Sequence, residues 1–248
     1  MRVLALDTTT VDGSIAVAED DRVIVARQGE RVPSHVERLP SEIIDVLTAA
    51  GMTTGDVDVF CVLAGPGSFT GLRIGIAAIQ GLALVHGRRV VALSTLEVLG
   101  TAAALDAAPG SIVAAWMDGY RKEVFAALYR ATDVPPFAAG RLAMIGDAAA
   151  AAPRDTLEAW RAAGTMPVAI AGNGATLYAG EIGASARIVP HPALASIAAP
   201  MAAARAAIGQ TLDPAAIQPV YVRRPDVETA REARRAAAPA APSTSPAP

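Results

Sequence analysis

Residues 57–75 read Val57-Asp58-Val59-Phe60-Cys61-Val62-Leu63-Ala64-Gly65-Pro66-Gly67-Ser68-Phe69-Thr70-Gly71-Leu72-Arg73-Ile74-Gly75. Residues 57–63 are mostly apolar and partly β-branched, which predicts a buried strand. Gly65, Gly67 and Gly71 follow within seven positions and predict a tight turn. Ser68 or Thr70 can cap the helix that we predict over residues 70–86. A strand, a glycine turn and a helix in this order direct backbone N–H groups toward an anion.

Two interpretations of the glycine turn are open. The common phosphate-binding templates fail, because the chain's one lysine is Lys122 and because Thr70 stands where a dinucleotide fingerprint from Gly65 needs glycine. Ser68 does not fit Gly-x-Ser-x-Gly either. One interpretation is a cradle of backbone amides for an anion. The other is a smooth helix ridge against which a second helix packs closely, formed by Gly71, Gly75 and Ala78.

Composition restricts the class of protein. A chain of 248 residues forms one compact unit or two lobes of about 100 residues each. Hydrophobic residues make up 52%, but alanine supplies much of this and no run reaches the roughly 18 apolar residues of a spanning helix. The single cysteine, Cys61, rules out a disulfide framework and a cysteine metal site. A net charge of −3 gives no general attraction to nucleic acid, and we expect a cytoplasmic protein without membrane contact.

A carboxylate ends the first predicted strand, residues 2–7. Asp7 is followed by the hydroxyls of Thr8 and Thr9 and by the turn pair Asp12-Gly13, after which strands at 13–18 and 22–27 complete a meander. Asp7 has two open interpretations. It is an acid that closes an Asx-turn, or it belongs to a phosphate or Mg²⁺ site with the threonine hydroxyls and turn amides.

An amphipathic helix is predicted over residues 35–50, with Ser34 as its cap and Glu37 in the capping-box position. Its apolar residues share one face and are Val36, Leu39, Ile43, Ile44 and Leu47. His35 has Leu39 four positions later, so this helix lacks a two-histidine metal face, and we expect a surface or capping residue. A strand at 89–93 and a helix at 95–105 follow.

The second half of the chain repeats the pattern of the first. A strand, an aspartate and a turn recur at Asp118, and Ala-Gly-x-Gly before a helix recurs with Gly172 and Gly174. The two motifs recur after 111 and 107 residues, which indicates a duplicated lobe. Further predictions in this half are strands at 112–117, 123–129, 141–145 and 168–171, helices at 155–163 and 193–208, and an extended piece at 217–223.

These repeats predict the domain organisation. We expect an N-terminal lobe over 1–107, a hinge at 107–110, a C-terminal lobe over 111–225 and a disordered Ala/Pro-rich tail over 226–248. Two lobes that present an acidic strand end and a glycine turn across a cleft follow the plan of the actin, Hsp70 and sugar-kinase (ASKHA) superfamily. We therefore predict a two-lobed α/β fold with duplicated mixed β-sheets.

Several motifs closely resemble the TsaB (YeaZ) family. They are Leu6-Asp7-Thr8-Thr9, Ser34-His35, the run from Ala64 to Gly75, the run from Ala77 to Ala83, and Ser94-Thr95-Leu96-Glu97. The resemblance covers about residues 1–130, and residues 118–129, 172–175 and 219–223 are also similar to the family. The run Gly-Pro-Gly-Ser-Phe-Thr-Gly-Leu-Arg is its most specific part.

The resemblance implies a non-catalytic scaffold in the synthesis of threonylcarbamoyladenosine (t6A) in tRNA. The family is a paralogue of the catalytic subunit TsaD, which transfers threonylcarbamoyl to the adenosine adjacent to the anticodon. The implied partners are TsaD and TsaE, with tRNA bound through the complex and a homodimer when the chain is alone. No cofactor is required on this interpretation, and ATP or ADP with Mg²⁺ would bind weakly or at the interface.

The resemblance also implies two sets of site residues. Pairing uses the helices at 35–50 and 70–86, and the predicted interface residues are Leu39, Ile43, Leu47, Thr70, Gly71, Ile74, Gly75 and Ala78. The predicted nucleotide-phosphate cleft comprises Asp7, Thr8, Thr9, Gly65, Gly67, Ser68, Asp118, Gly172 and Gly174. No catalytic or metal-binding residue is predicted.

Two other functions are weighed against the scaffold. A small-molecule kinase or ATPase of the same fold would use Asp7 and Asp118 for Mg²⁺ and the phosphoryl acceptor. An M22-type glycoprotease homologue would need metal-binding histidines, and the three histidines of the chain, His35, His86 and His191, argue against it.

Overall fold

The structure is a computed structural model that describes residues 1–30, 32 and 34–222. The strands are β1 (Arg2–Asp7), β2 (Ser14–Glu19), β3 (Arg22–Gln28), β4 (Val59–Gly65), β5 (Arg89–Ser94), β6 (Ile112–Asp118), β7 (Val124–Ala131), β8 (Leu142–Ala151), β9 (Ala169–Ala171) and β10 (Arg187–Val189). The α-helices are α1 (His35–Ala49), α2 (Phe69–Val85), α3 (Thr95–Ala104), α4 (Pro153–Ala162), α5 (Asn173–Leu177), α6 (Ala179–Ile182) and α7 (Leu194–Ala207). The predicted disordered tail and residues 223–225 of the predicted C-terminal lobe lie outside the described residues.

The first sheet has the strand order β3-β2-β1-β4-β5. β1 pairs antiparallel with β2 and parallel with β4, and β4 pairs parallel with β5. Every residue of β4 is buried, as its continuous apolar sequence predicts, because helices cover both faces of the sheet. The apolar stripes of α1 and α2 cover one face and α7 covers the other.

The second sheet repeats this topology with the order β8-β7-β6-β9-β10. β6 pairs antiparallel with β7 and parallel with β9, as β1 does with β2 and β4. An antiparallel meander continued by two parallel strands therefore occurs twice. This repetition confirms the predicted duplication and the two-lobed ASKHA-type α/β fold.

Two helices lie between the sheets and are exchanged between the halves of the chain. α3 belongs to the first half but contacts β6, β7 and β9, whereas α7 belongs to the second half and contacts β1, β2 and β4. Both are rich in alanine, and small side chains let a helix approach a sheet closely. The largest core cluster joins residues of both sheets through these helices. The lobe boundaries at 107 and 111 stay a prediction.

Most predicted elements are present, with small differences at their ends. The strand predicted at 141–145 extends to Ala151, and the extended piece predicted at 217–223 belongs to no strand over its described residues, although Val220 N–H donates to the carbonyl of Ala64 at 2.7 Å. β10 and α6 were not predicted, because each is only three or four residues long and carries little periodicity.

Within the described ranges, none of the helices combines the length and the apolar character that crossing a lipid bilayer requires.

Candidate functional site

Asp7 lies buried at the end of β1, with 2% of its surface exposed. Its Oδ1 accepts hydrogen bonds from the N–H of Thr9 at 2.8 Å and from the hydroxyl of Thr9 at 2.6 Å. This is the Asx-turn arrangement, the first of the two interpretations of Asp7. Burial raises the pKa of the Asp7 carboxyl above its ordinary value, and the two bonds from Thr9 oppose this rise.

The glycine turn packs on the loop that follows Asp7. A Cβ on Gly67, Gly71 or Gly75 would lie less than 3.0 Å from an atom of Thr8 or Thr9. Ser68 N–H donates to the carbonyl of Thr9 at 2.8 Å, and the Thr8 hydroxyl donates to the carbonyl of Gly71 at 2.8 Å. The glycines are therefore needed for close contact between two segments of this chain.

Gly65 begins the turn with a φ of +119°, a backbone conformation that side chains disfavour. A Cβ there would also collide with the carbonyl of Val220, whose N–H binds the carbonyl of Ala64. The segment after α7 thus returns to the first sheet and packs against the glycine turn at Gly65. Together with the contacts of Gly67 and Gly71, this shows that the glycines of the turn allow close contact with the chain's own backbone.

The second half builds the same arrangement with other partners. Gly172 has a φ of +125° and Gly174 lies against Met117, so both glycines pack on the end of β6. The Asp118 N–H donates to Oδ1 of Asn173 at 2.9 Å, and Oδ1 of Asp118 accepts from the N–H of Tyr120 at 2.9 Å. Asp118 therefore repeats the turn geometry of Asp7, but it is only partly buried.

A cavity of about 320 Å³ lies between the two acidic turns. Its lining residues are Thr9, Thr10, Val11, Asp12, Gln28, Met117, Asp118, Tyr120, Asn173 and His191. Of the predicted cleft residues, Thr9 and Asp118 line this cavity, whereas Asp7, Thr8, Gly65, Gly67, Ser68, Gly172 and Gly174 do not. The carboxylates of Asp12 and Asp118 give the cavity an acidic lining, which suits a cation better than a bare phosphate.

Three residues that were not predicted as cleft residues, Asp12, Asn173 and His191, also line the cavity. Burial lowers the pKa of His191, while the nearby carboxylates of Asp7 and Asp12 oppose this effect. Nδ1 of His191 is buried without a hydrogen-bond partner in the described part of the chain. Asp12 and Asn173 each gave a local signal, as part of the Asp12-Gly13 turn pair and of the Gly-Asn-Gly turn. His191 gave none, because it reaches the cleft through the tertiary fold.

His35 is a structural residue rather than the expected surface or capping residue. It is 9% exposed, its Nε2 bonds the carbonyl of Thr10 at 2.8 Å, and its Nδ1 lies 2.7 Å from the guanidinium of Arg38. Arg38 also binds Glu42 and the carbonyls of Val11 and Asp12. These bonds hold the loop that carries Asp12 beside the cleft. Over residues 1–30, 32 and 34–222, no group of three or more His, Cys, Asp or Glu is placed to hold a metal ion.

The structure corrects the position of several predicted interface residues. Leu39, Ile43 and Leu47 are between 2% and 6% exposed and pack against the first sheet, while Gly71 and Gly75 are buried against Thr8. These five residues are used inside the fold, so a partner cannot contact them as an exposed surface. Ile74 and Ala78 are half-buried, and Thr70 is exposed.

The outward sides of α1 and α2 carry other apolar residues. Ile44 is 61% exposed on α1, and Leu84 and Val85 are 62% and 80% exposed on α2. Phe69, at the start of α2, is 50% exposed, stacks on Tyr221 at 5.7 Å and lies under the guanidinium of Arg73 at 3.9 Å. We call this outward side of the two helices the α1/α2 surface. These exposed apolar side chains lie on the two helices that the resemblance assigns to partner contact.

The fold and the cleft together define a two-lobed ASKHA-type protein with an acidic interlobe cavity and an exposed helical surface on its first half. The profile of the TsaD family, tRNA N6-adenosine threonylcarbamoyltransferase, matches residues 29–153, which is half of the chain. The chain therefore belongs to this family, and its relatives place it with the TsaB (YeaZ) proteins.

Individual relatives agree with this placement. The chain is 36% identical over 131 residues to the tRNA threonylcarbamoyladenosine biosynthesis protein TsaB of Escherichia coli, covering 52% of this chain and 55% of that protein. It is 30% identical over 130 residues to TsaB of Bacillus subtilis, covering 52% and 56%. The chain thus spans about half the length of the curated relatives it matches. The solved structure of YeaZ from Pseudomonas aeruginosa is 29% identical, with a TM-score of 0.70 over 89% of this chain and 99% of that one.

Proposed function

We propose that this chain serves t6A biosynthesis as a non-catalytic subunit that pairs with TsaD, with TsaE joining the pair. The names of the relatives in Escherichia coli and Bacillus subtilis support the pathway. The family profile supports descent from a common ancestor with the transferase. In this proposal tRNA is reached through the complex, and the chain forms a homodimer when TsaD is absent.

The α1/α2 surface is the observation that carries the proposal. Both helices use one side to cover the first sheet, and the other side exposes Ile44, Leu84 and Val85 to solvent. Burying such side chains contributes about 1.5–3 kcal/mol each when a partner covers them fully. The two predicted helices thus remain the partner-binding elements, but the partner contacts their exposed sides and not their buried sides.

We also propose that no cofactor is required. The glycines of both turns lie against the chain's own backbone, and Asp7 is buried and hydrogen-bonded within its own turn. ATP or ADP would have to approach the carboxylates of Asp12 and Asp118 together with Mg²⁺, whose preferred ligands are such oxygens. No observation favours the kinase or the glycoprotease over the scaffold.

The test is a tRNA modification assay reconstituted with TsaD and TsaE of the same organism. We expect loss of t6A when the chain is omitted and loss again with Ile44→Glu/Leu84→Glu, because two carboxylates would have to be buried in the interface. Met144→Glu is the matched control, since Met144 is 51% exposed on β8, and it should retain activity.

The outcomes separate the parts of the proposal. Full modification without the chain would refute the scaffold function. Loss on omission together with normal activity of a folded Ile44→Glu/Leu84→Glu variant would retain the function and exclude the α1/α2 surface. Co-purification of TsaD with each variant shows whether lost activity follows lost pairing.

A further inference from the structure

An apolar groove of about 460 Å³ lies on the seam between the two halves of the fold. One helix face forms its floor, because Pro200, Ala203, Ala204 and Ala207 of α7 recur at helical spacing and are small or compact. Its walls are Pro135, Pro136, Phe137 and Ala138 from the β7–β8 connection, and Met1, Asp20 and Asp21 from the first sheet. No part of the site described above lies in this groove.

The groove combines apolar walls with an acidic rim. Asp20 and Asp21 lie in the exposed turn between β2 and β3, and Asp20 pairs with the amine of Met1 at 2.8 Å. Arg22, the neighbouring cation, pairs with Glu19 at 3.5 Å. The Met1 amine compensates the charge of Asp20, but the exposed carboxylate of Asp21 leaves the rim negative, which favours a cationic occupant. The prolines and Phe137 provide the kind of surface on which proline-rich segments dock.

We propose that residues 234–242 of this chain, Arg-Arg-Ala-Ala-Ala-Pro-Ala-Ala-Pro, dock in this groove. The segment follows the described residues and carries both cationic side chains and prolines. Residues three positions apart share one side of a polyproline II helix, which has three residues per turn, and Pro239 and Pro242 have this spacing. Arg234 and Arg235 precede them and match the acidic rim of Asp20 and Asp21.

The length of the chain permits this contact. Twelve residues separate Val222, the last described residue, from Arg235, and they span up to about 43 Å when extended. A globular unit of about 222 residues has a radius of gyration of roughly 17 Å, which the extended linker exceeds, so the segment can pass from Val222 to a neighbouring side of the molecule. Once docked, it contacts elements of both sheets and holds the two halves together across their seam.

Disulfide trapping in the full chain tests the proposal, because the only native cysteine, Cys61, is 0% exposed. One variant carries Ala207→Cys in the groove and Ala240→Cys in the segment. The control carries Met144→Cys on β8 with the same Ala240→Cys. Met144 is exposed, as Ala207 is, and it lines a small cavity together with Val222, the last described residue. A segment that moved freely would therefore reach both positions.

Docking raises the local concentration of the two thiols, so we expect the intramolecular disulfide at 207 to form at least about tenfold faster than the one at 144. Adding Arg234→Glu/Arg235→Glu should slow the reaction at 207 by about threefold or more and leave the reaction at 144 unchanged. Unreactive Cys61 in each variant confirms folding, and Ala204→Cys replaces Ala207→Cys if that chain does not fold. Equal rates at 207 and 144 would overturn the proposal, as would a disulfide at 207 that forms mainly between two copies.

Discussion

Replacing Gly75 by alanine tests whether the glycines of α2 serve the interior or a partner. A methyl group at position 75 would lie less than 3.0 Å from Oγ1 of Thr8, which is buried and donates to the carbonyl of Gly71 at 2.8 Å. Overpacking costs about 1–3 kcal/mol, and a displaced hydroxyl that loses a buried hydrogen bond costs a further 1–3 kcal/mol or so. Alanine returns about 1 kcal/mol through helix propensity. We expect Gly75→Ala to lower the free energy of unfolding by about 2–4 kcal/mol, measured by urea unfolding.

Gly81→Ala on the same helix is the matched control, since a Cβ at position 81 meets no atom within 4 Å. It should raise the free energy of unfolding by about 1 kcal/mol. Thr8→Ala removes the colliding hydroxyl, so the double variant Thr8→Ala/Gly75→Ala should recover part of the stability lost in Gly75→Ala, and the double-mutant cycle measures this coupling. If Gly75→Ala were as stable as Gly81→Ala, the close contact with Thr8 would be wrong and the smooth helix ridge would again be available to a partner.

Further predictions concern the groups around the cleft. Burial raises the pKa of Asp7, so the folded state holds this proton more tightly, and the free energy of unfolding falls as pH rises above the ordinary value of 3.8. In urea unfolding measured as a function of pH, Asp7→Asn should remove the part of this fall that Asp7 causes. Burial lowers the pKa of His191, so stability should fall as pH drops through its ordinary value of 6.5, and a pH titration of His191→Gln that still shows this loss would contradict the assignment. Arg38→Met should cost about 2–4 kcal/mol in urea unfolding, because it leaves Nδ1 of His35 and the carbonyl of Asp12 without their donor, and Arg38→Lys should recover only part of this.

Elements with a strong local pattern could be predicted from the sequence. The apolar run of β4, the capping box of Ser34 and Glu37, and the repeated aspartate and glycine turns each determine local structure through neighbours in the chain. The duplication followed from two motifs that recur at similar offsets, and this was enough to predict the fold. The exchange of α3 and α7 between the sheets was not predictable, because α3 is buried on nearly all sides and α7 consists mainly of alanine, so neither sequence indicates which sheet the helix covers.

The candidate site was predicted less well, since long-range contacts decide it. Val220 closes the turn at Gly65 from 155 positions away in the chain, and His191 reaches the cleft beside Thr9 only after α7 and β10 are in place. A glycine-rich turn indicates close approach of some group, but it does not specify whether that group is a phosphate or the chain's own backbone. The sequence therefore identified where close packing occurs and left its partner open.

The same ambiguity explains why Gly71 and Gly75 of α2 were predicted at a partner interface although they are buried against Thr8. The apolar and small residues of α2 occur on all sides of the helix, so its sequence pattern allows more than one buried side. Leu72, Ile76 and Ile79 occupy the side toward the sheet, and Gly71 and Gly75 form the adjoining side against Thr8. The side left open is a stripe with i, i+3, i+4 spacing, formed by Thr70, Arg73, Ala77, Gly81 and Leu84. A partner that uses α2 must contact this stripe, where the small residues Ala77 and Gly81 permit a close helix approach that the buried glycines cannot provide.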